Sequence, residues 1–139
     1  MKILVCGIRG TFDAYSEIVK KKLSEMYWNQ HGMTAKDSDF KFHIIEGCCP
    51  MSADQYAEEW VKENPNEAEI KHFPSTSGNY LKRNIEMVRE LNKGDIVMAF
   101  WNGYSYGTAH TIACATQRNI SVIVVNLKQS FVKSQIQWA

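Results

Sequence analysis

The chain has 139 residues, 45% hydrophobic and 22% charged, a length that fits one domain able to bury a core without disulfide or metal staples. Sixteen Lys and Arg stand against fifteen Asp and Glu, a formal net charge of +1, so no overall basic field recommends nucleic acid as a partner. No apolar run approaches a membrane span, and Lys2 to Gly7 reads as a strand entering a turn rather than a signal peptide, so a cytoplasmic protein is expected.

In chain order, Lys2 to Cys6 is a short apolar run ending at Gly7, which suits a central parallel strand. The loop Gly7 to Asp13 follows, with Thr11 or Asp13 placed to cap a helix. In that helix Tyr15, Ile18, Val19, Leu23, Met26 and Tyr27 recur at helical spacing as an inward stripe. Residues 32–40 are polar and aperiodic, a surface connection.

Phe42 to Ile45 begins a second strand, and Glu46 to Asp54 is another strand-to-helix loop with Ser52 as the expected cap. Its helix carries Ala53, Tyr56, Ala57, Trp60 and Val61 on one face, turns Glu58, Glu59, Lys62 and Glu63 to water, and stops at Asn64-Pro65. Glu69 to Phe73 reads as a strand near an edge, because Lys71 interrupts its apolar character. After the loop 74–79 a helix is predicted over 80–92, with Leu81, Ile85, Met87, Val88 and Leu91 as its pattern and Gly94 placed to end it.

Ile96 to Phe100 is a run of five apolar residues, too short for a buried helix and suited to a strand covered on both faces. Asn102 to Thr108 is turn and hydroxyl chemistry, a helix is predicted over 109–117, and Ile120 to Val125 is a last, β-branched strand. The four cysteines, Cys6, Cys48, Cys49 and Cys114, lack C-x-x-C spacing and are expected to be reduced. Cys6 and Cys114 read as buried small hydrophobes, Cys48 and Cys49 as loop thiols.

Strands separated by helices of this length predict an α/β fold: one Rossmann-like domain over 1–139, about five mainly parallel strands with helices on both faces. Its core is expected over about 2–125, with a tail at 126–139. In such sheets ligands bind beyond the C-terminal ends of the strands, where strand order reverses. A strand, a glycine-containing loop and a helix N-terminus also make an anion seat, since the first helical amides lack intrahelical partners. Gly103 and Gly107 can equally serve the turn alone, a reading that the convergence of several such loops on one rim weakens.

The blocks K-I-L-V-C-G-I-R, E-G-C-C-P-M-S-A-D-Q-Y-A-E-E-W, S-G-N-Y-L-K-R-N-I-E-M and A-F-W-N-G-Y-S-Y-G-T-A-H resemble, in order, the signature blocks of the YspA-like branch of the SLOG superfamily. That superfamily also includes the LOG phosphoribohydrolases and the DNA-processing proteins of the DprA family. Its members are Rossmann-like and bind nucleotides or nucleotide-derived ligands; some cleave N-glycosidic bonds and others are sensors in bacterial and phage conflict.

The resemblance implies a nucleotide-type ligand, an ADP-ribose-like molecule among them, held as by a sensor or sink. The ligand-binding set then comprises Gly7, Arg9, Gly47, Ser52, Asp54, Arg83, Asn84, Asn102, Gly103, Tyr104, Ser105, Gly107 and Thr108. Arg83 and Met87 fall on the Arg-Lys-x-x-Met segment of LOG enzymes, and Asn84 agrees with the Arg-Asn form of the YspA-like branch. An arginine there can grip phosphate with two parallel hydrogen bonds; the plainer alternative is an ion pair with Glu86 or Glu90.

Gly103, Gly107 and Thr108 align with the Pro-Gly-Gly-x-Gly-Thr loop, and Ser52 stands where the family's Gly-Ala-Asp has glycine, ahead of Asp54. His110 and Thr111 replace the two glutamates of LOG enzymes, which counts against glycosidic cleavage of that type. The candidates for catalysis are His110, Asp54 and Glu46, in an N-glycosidic hydrolase or transferase kept as the rival reading.

Trp101, Tyr104, Tyr106 and Tyr80 flank the glycine loop, to stack on a base or simply to pack the turn. Single-stranded nucleic acid, met by Arg9, Lys82 and Arg83, is a weaker reading that the near-neutral charge disfavours. His31, His43, His72 and His110 share no ligand spacing, so neither a metal nor another cofactor is expected. The apolar tail from Ser130 to Trp138 suits a partner subunit as well as the chain's own core, which leaves a homodimer or higher oligomer open.

Overall fold

β-Branched runs and amphipathic segments alternate as expected: β1 (Lys2–Gly7), α1 (Tyr15–Met33), β2 (Phe42–Glu46), α2 (Ala53–Glu63), β3 (Ala68–His72), α3 (Tyr80–Arg89), β4 (Ile96–Trp101), α4 (Tyr106–Gln117) and β5 (Ser121–Asn126). The structure is a computed structural model that describes residues 1–10, 12, 14–33, 40–75 and 78–127. The expected caps Thr11 and Asp13 and the apolar stretch Ser130 to Trp138 lie outside the described residues. Of the two residues expected to begin the tail, Asn126 instead ends β5 and Leu127 joins the core.

The five strands form one parallel sheet in the order β3-β2-β1-β4-β5. The chain starts in the middle, builds outward to β3, then crosses to the other side of β1 for β4 and β5. This is a Rossmann-like α/β arrangement whose order reverses between β1 and β4.

Alternation along β1 explains why it must be apolar throughout. Ile3 and Val5 join the core under α1 and α2, whereas Leu4 and Cys6 join the core under α3 and α4. The first core holds Tyr15, Leu23, Phe42, Trp60 and Phe100; the second holds Met87, Val88, Leu91 and Ala115. Each large side chain buried in this way contributes roughly 1.5 to 3 kcal/mol over leaving it in water.

Several details differ from the sequence reading. Helix α4 starts at Tyr106, not Ala109, so the hydroxyl-rich stretch supplies its first turn. Helix α3 ends at Arg89, short of the expected 92; its buried residues are Asn84, Met87 and Val88, with Leu91 buried just beyond it, while Ile85 is exposed, because the polar Asn84 occupies a position that pattern reading reserves for an apolar residue. Cys114 is only half-buried. Glu58 does not simply face water: its carboxylate lies 3.1 Å from His72 Nδ1. The edge position of β3 agrees with Lys71, which leaves the sheet to pair with Glu90 at 2.7 Å. No described helix is long and apolar enough to cross a membrane.

Candidate functional site

Beyond the C-terminal ends of the strands, at the reversal between β1 and β4, lies a cleft of about 820 Å³. The loops after β1, β2, β3 and β4 and the helices α3 and α4 form its walls. Gly7, Arg9, Gly47, Asp54, Arg83, Asn84, Asn102, Ser105, Gly107 and Thr108, all expected to bind ligand, line it. Ser52, Gly103 and Tyr104, also expected there, stand outside the lining, as do the catalytic candidates Glu46 and His110. Tyr80 and Tyr106 are further lining residues, with exposed rings at the mouth.

The β4 side ends in an open helix N-terminus. Trp101 packs against the core and its indole N–H donates to the Ser105 carbonyl at 3.0 Å, so this tryptophan supports the loop from below. Asn102 Oδ1 accepts from the amides of Tyr104 and Ser105 at 2.9 and 3.0 Å, closing the turn in which Gly103 takes a positive φ of 87°. Ser105, the N-cap, makes no side-chain cap bond; its hydroxyl instead meets Thr108 Oγ1 at 3.4 Å. The amides of Tyr106, Gly107 and Thr108 therefore stay without a partner among the described residues, beside the cleft that these residues line.

The β2 side is closed by its own side chains. Ser52 is fully buried and caps α2 by accepting from the Asp54 amide at 3.1 Å. Asp54 Oδ2 accepts from the amides of Gly47 and Cys49, both at 3.2 Å, so this carboxylate braces the loop. Burial raises its carboxyl to about 6, opposed by those two amides and by the Arg83 guanidinium. The loop after β1 is fastened to the same structure: the Gly10 amide donates to the Met51 carbonyl at 2.8 Å, Arg9 forms an antiparallel bridge with Ser52, and Arg9 Nε donates to Cys49 Sγ at 2.9 Å. Gly7 permits the close approach of β1 and α2, since a Cβ there would stand 2.7 Å from both Ala53 Cβ and the Tyr15 hydroxyl.

Arg83 and Asn84 tie the two sides together. Arg83 Nη1 donates to the carbonyls of Gly47 at 2.5 Å and Phe73 at 3.2 Å, while its Nε donates to Asn84 Oδ1 at 3.0 Å. No ion pair to Glu86 or Glu90 forms among the described residues, and Glu90 is taken by Lys71. Gly47 is glycine because a Cβ there would lie 2.3 Å from Arg83 Nη1. The buried Asn84 amide reaches across to the Gly107 carbonyl at 3.3 Å and to His110 Nδ1 at 3.4 Å. His110 is thereby held one turn below the cleft, its ring stacked on Tyr106 and its Nε2 3.6 Å from Cys114 Sγ. Thr111 lines the cleft, but its hydroxyl donates back to the Gly107 carbonyl at 3.2 Å. Ser75 Oγ, also on the lining, is buried without a hydrogen-bond partner among the described residues.

Glu46 is turned away from the cleft, onto the α2 face of the sheet. Fully buried, it touches His72 Nδ1 at 2.5 Å and accepts from the Cys48 amide at 2.5 Å. Burial raises its carboxyl to about 7, against the pull of the Cys48 amide, and burial beside Glu46 raises the Cys48 thiol to about 11. Positions 46, 48, 58 and 72 have no shared period, so only the fold brings Glu46, Cys48, Glu58 and His72 together.

No family model, curated protein or solved structure matches the chain.

Proposed function

We propose that the rim cleft binds a phosphorylated, nucleotide-type ligand, with its phosphate on the first turn of α4 and the protein acting as sensor or sink. The open N-terminus of α4 carries the reading: three amides without a partner among the described residues and the positive end of the helix dipole lie at the cleft wall. Arg83 adds a cation beside that seat, and Tyr80 and Tyr106 offer flat faces for a base. A volume of about 820 Å³ suits a ligand of nucleotide or dinucleotide size. The resemblance to the YspA-like branch of the SLOG superfamily points to the same ligand class.

A thermal-shift screen of nucleotides, dinucleotides and cyclic dinucleotides, followed by calorimetry on the best hit, tests the reading. Arg83→Ala is expected to weaken that hit by roughly 1.5 to 3 kcal/mol, the range for charge-assisted hydrogen bonds. Equal binding by parent and variant would leave Arg83 a strut between the two loops and nothing more.

One observation favours the rival reading, an N-glycosidic hydrolase or transferase. Asp54 lines the cleft, and its Oδ1 accepts no hydrogen bond from a described residue, so a carboxylate oxygen is available to face a ribose. Against it, the positions of the missing glutamates hold His110, outside the cleft, and Thr111, bonded to its own helix. Nucleoside monophosphates should survive overnight incubation intact. Release of free base that vanishes in Asp54→Asn would establish the enzyme instead.

A further inference from the structure

Behind the cleft wall, four side chains of metal-ligating type converge from three elements and a loop. Glu46 and His72 are paired positions at the ends of β2 and β3, which places their side chains together on the face covered by α2. Glu58 reaches them from α2, and Cys48 comes from the loop two residues after Glu46. One carboxylate oxygen from each glutamate, the thiol sulfur and an imidazole nitrogen all lie within 4.8 Å of one another.

We propose that Glu46, Cys48, Glu58 and His72 form a four-ligand site for a divalent transition metal, zinc being the occupant that the donor set fits best. One sulfur, one nitrogen and two oxygens match the borderline character of zinc and exclude magnesium and calcium, which prefer oxygen alone. Zinc bonds of about 2.0 to 2.3 Å in a tetrahedron separate neighbouring donors by about 3.3 to 3.6 Å. Cys48 Sγ already stands 3.6 Å from Glu46 Oε1, and His72 Nδ1 stands 3.1 Å from Glu58 Oε1. The 2.5 Å contact of His72 with Glu46 has to open by less than an ångström, and no two of the four donors stand farther apart than 4.8 Å.

Charge argues the same way. Two carboxylates converge on one imidazole, and one of them, Glu46, has no exposure to water. A buried carboxylate of this kind needs a cation beside it, and a divalent ion serves both at once. His72 is about half exposed, which leaves an entry path from solvent. On binding, the thiol proton and any proton shared by the carboxyl groups pass to solvent as the metal takes their place. Four protein donors fill a tetrahedron, so the site is structural: it fastens the loop after β2, whose Cys48 also lines the cleft, to β3 and α2.

The test is metal binding by the full chain after chelator treatment, independent of any nucleotide. Cobalt(II), a spectroscopic stand-in for zinc, should bind once per chain and give thiolate-to-cobalt charge-transfer absorption with the visible bands of tetrahedral cobalt. Zinc should raise the melting temperature of the same preparation. Cys48→Ser and His72→Ala, the latter at a half-exposed position, should each weaken zinc by at least about 100-fold. Cys49→Ser and Cys114→Ser should bind like the parent. A missing charge-transfer band, a band lost with Cys49 or Cys114 instead of Cys48, or undiminished zinc binding by folded His72→Ala would overturn the proposal.

Discussion

The loops after β2 and β4 share a plan, strand, turn, serine, helix, yet they end in opposite states. At α2, Ser52 caps the helix and Asp54 Oδ2 holds the amides of Gly47 and Cys49, so the chain satisfies its own donors. At α4, Ser105 makes no cap bond and no acidic residue occupies the first turn, so the donors stay open. A carboxylate near the start of a helix thus converts an anion seat into a brace. On the proposed function, the first loop holds the rim still while the second receives the ligand.

The comparison breaks most visibly at Asp54. Asp54→Ala strands the two loop amides and removes the carboxylate whose field Arg83 feels, and should cost about 3 kcal/mol in urea denaturation. Asp54→Asn keeps an acceptor oxygen and should lose less than half as much. A fully stable Asp54→Ala would mean that the loop is not braced this way.

Acidity sharpens the same contrast. Asp54 ordinarily titrates near 3.8 but in the folded chain at about 6, so between these values the folded state holds the extra proton. This proton-linked contribution to stability is complete below the lower value and is lost as pH rises through the upper one, on the order of 3 kcal/mol in all. Denaturation midpoints of metal-free protein should therefore fall from pH 4 to pH 7 more steeply in the parent than in Asp54→Asn. Parallel slopes would assign the pH dependence to other groups.

The two glycines should fail in different ways. A Cβ at Gly107 would meet nothing nearer than the Tyr80 ring at 3.7 Å, so Gly107→Val should stay within about 1 kcal/mol of parent stability while losing about tenfold or more in nucleotide affinity. Gly47→Ala drives a methyl into Arg83 and should cost about 1.5 kcal/mol of stability. The smallest effect belongs to Tyr104, three-quarters exposed and off the cleft: Tyr104→Ala should change stability and binding by less than about 0.5 kcal/mol. A clear loss of affinity there would show that the ligand extends past the mouth.

Much of the fold was legible because its signals are local. The run Ile96 to Phe100, the cap at Ser52 and the stop at Asn64-Pro65 each depend on a few adjacent residues, and each stands where the pattern put it. The loops of the site were legible for the same reason: they follow strands. What pattern reading missed depends on partners distant in sequence. Asn84 is buried because Arg83, Gly107 and His110 surround it, and Glu58 leaves the watery side of its helix because His72 stands opposite. Nor could spacing tell that Tyr104 points away while Tyr106 lines the cleft, since that turns on Asn102 closing the turn ahead of α4.

The central position of β1 has a consequence for the order of folding. Its pairing with β2 spans about forty residues, but its pairing with β4 joins Ile3 to Ile96, and the Lys2 amide to Asp95, across 93 residues. Closing that longer loop carries the greater entropic penalty, so the β1–β2–β3 half can assemble first and β4 docks late. The crevice lies on the seam between these halves and does not exist until the seam closes. A ligand that fits it engages only chains that have finished folding, and shifts the balance away from half-assembled ones.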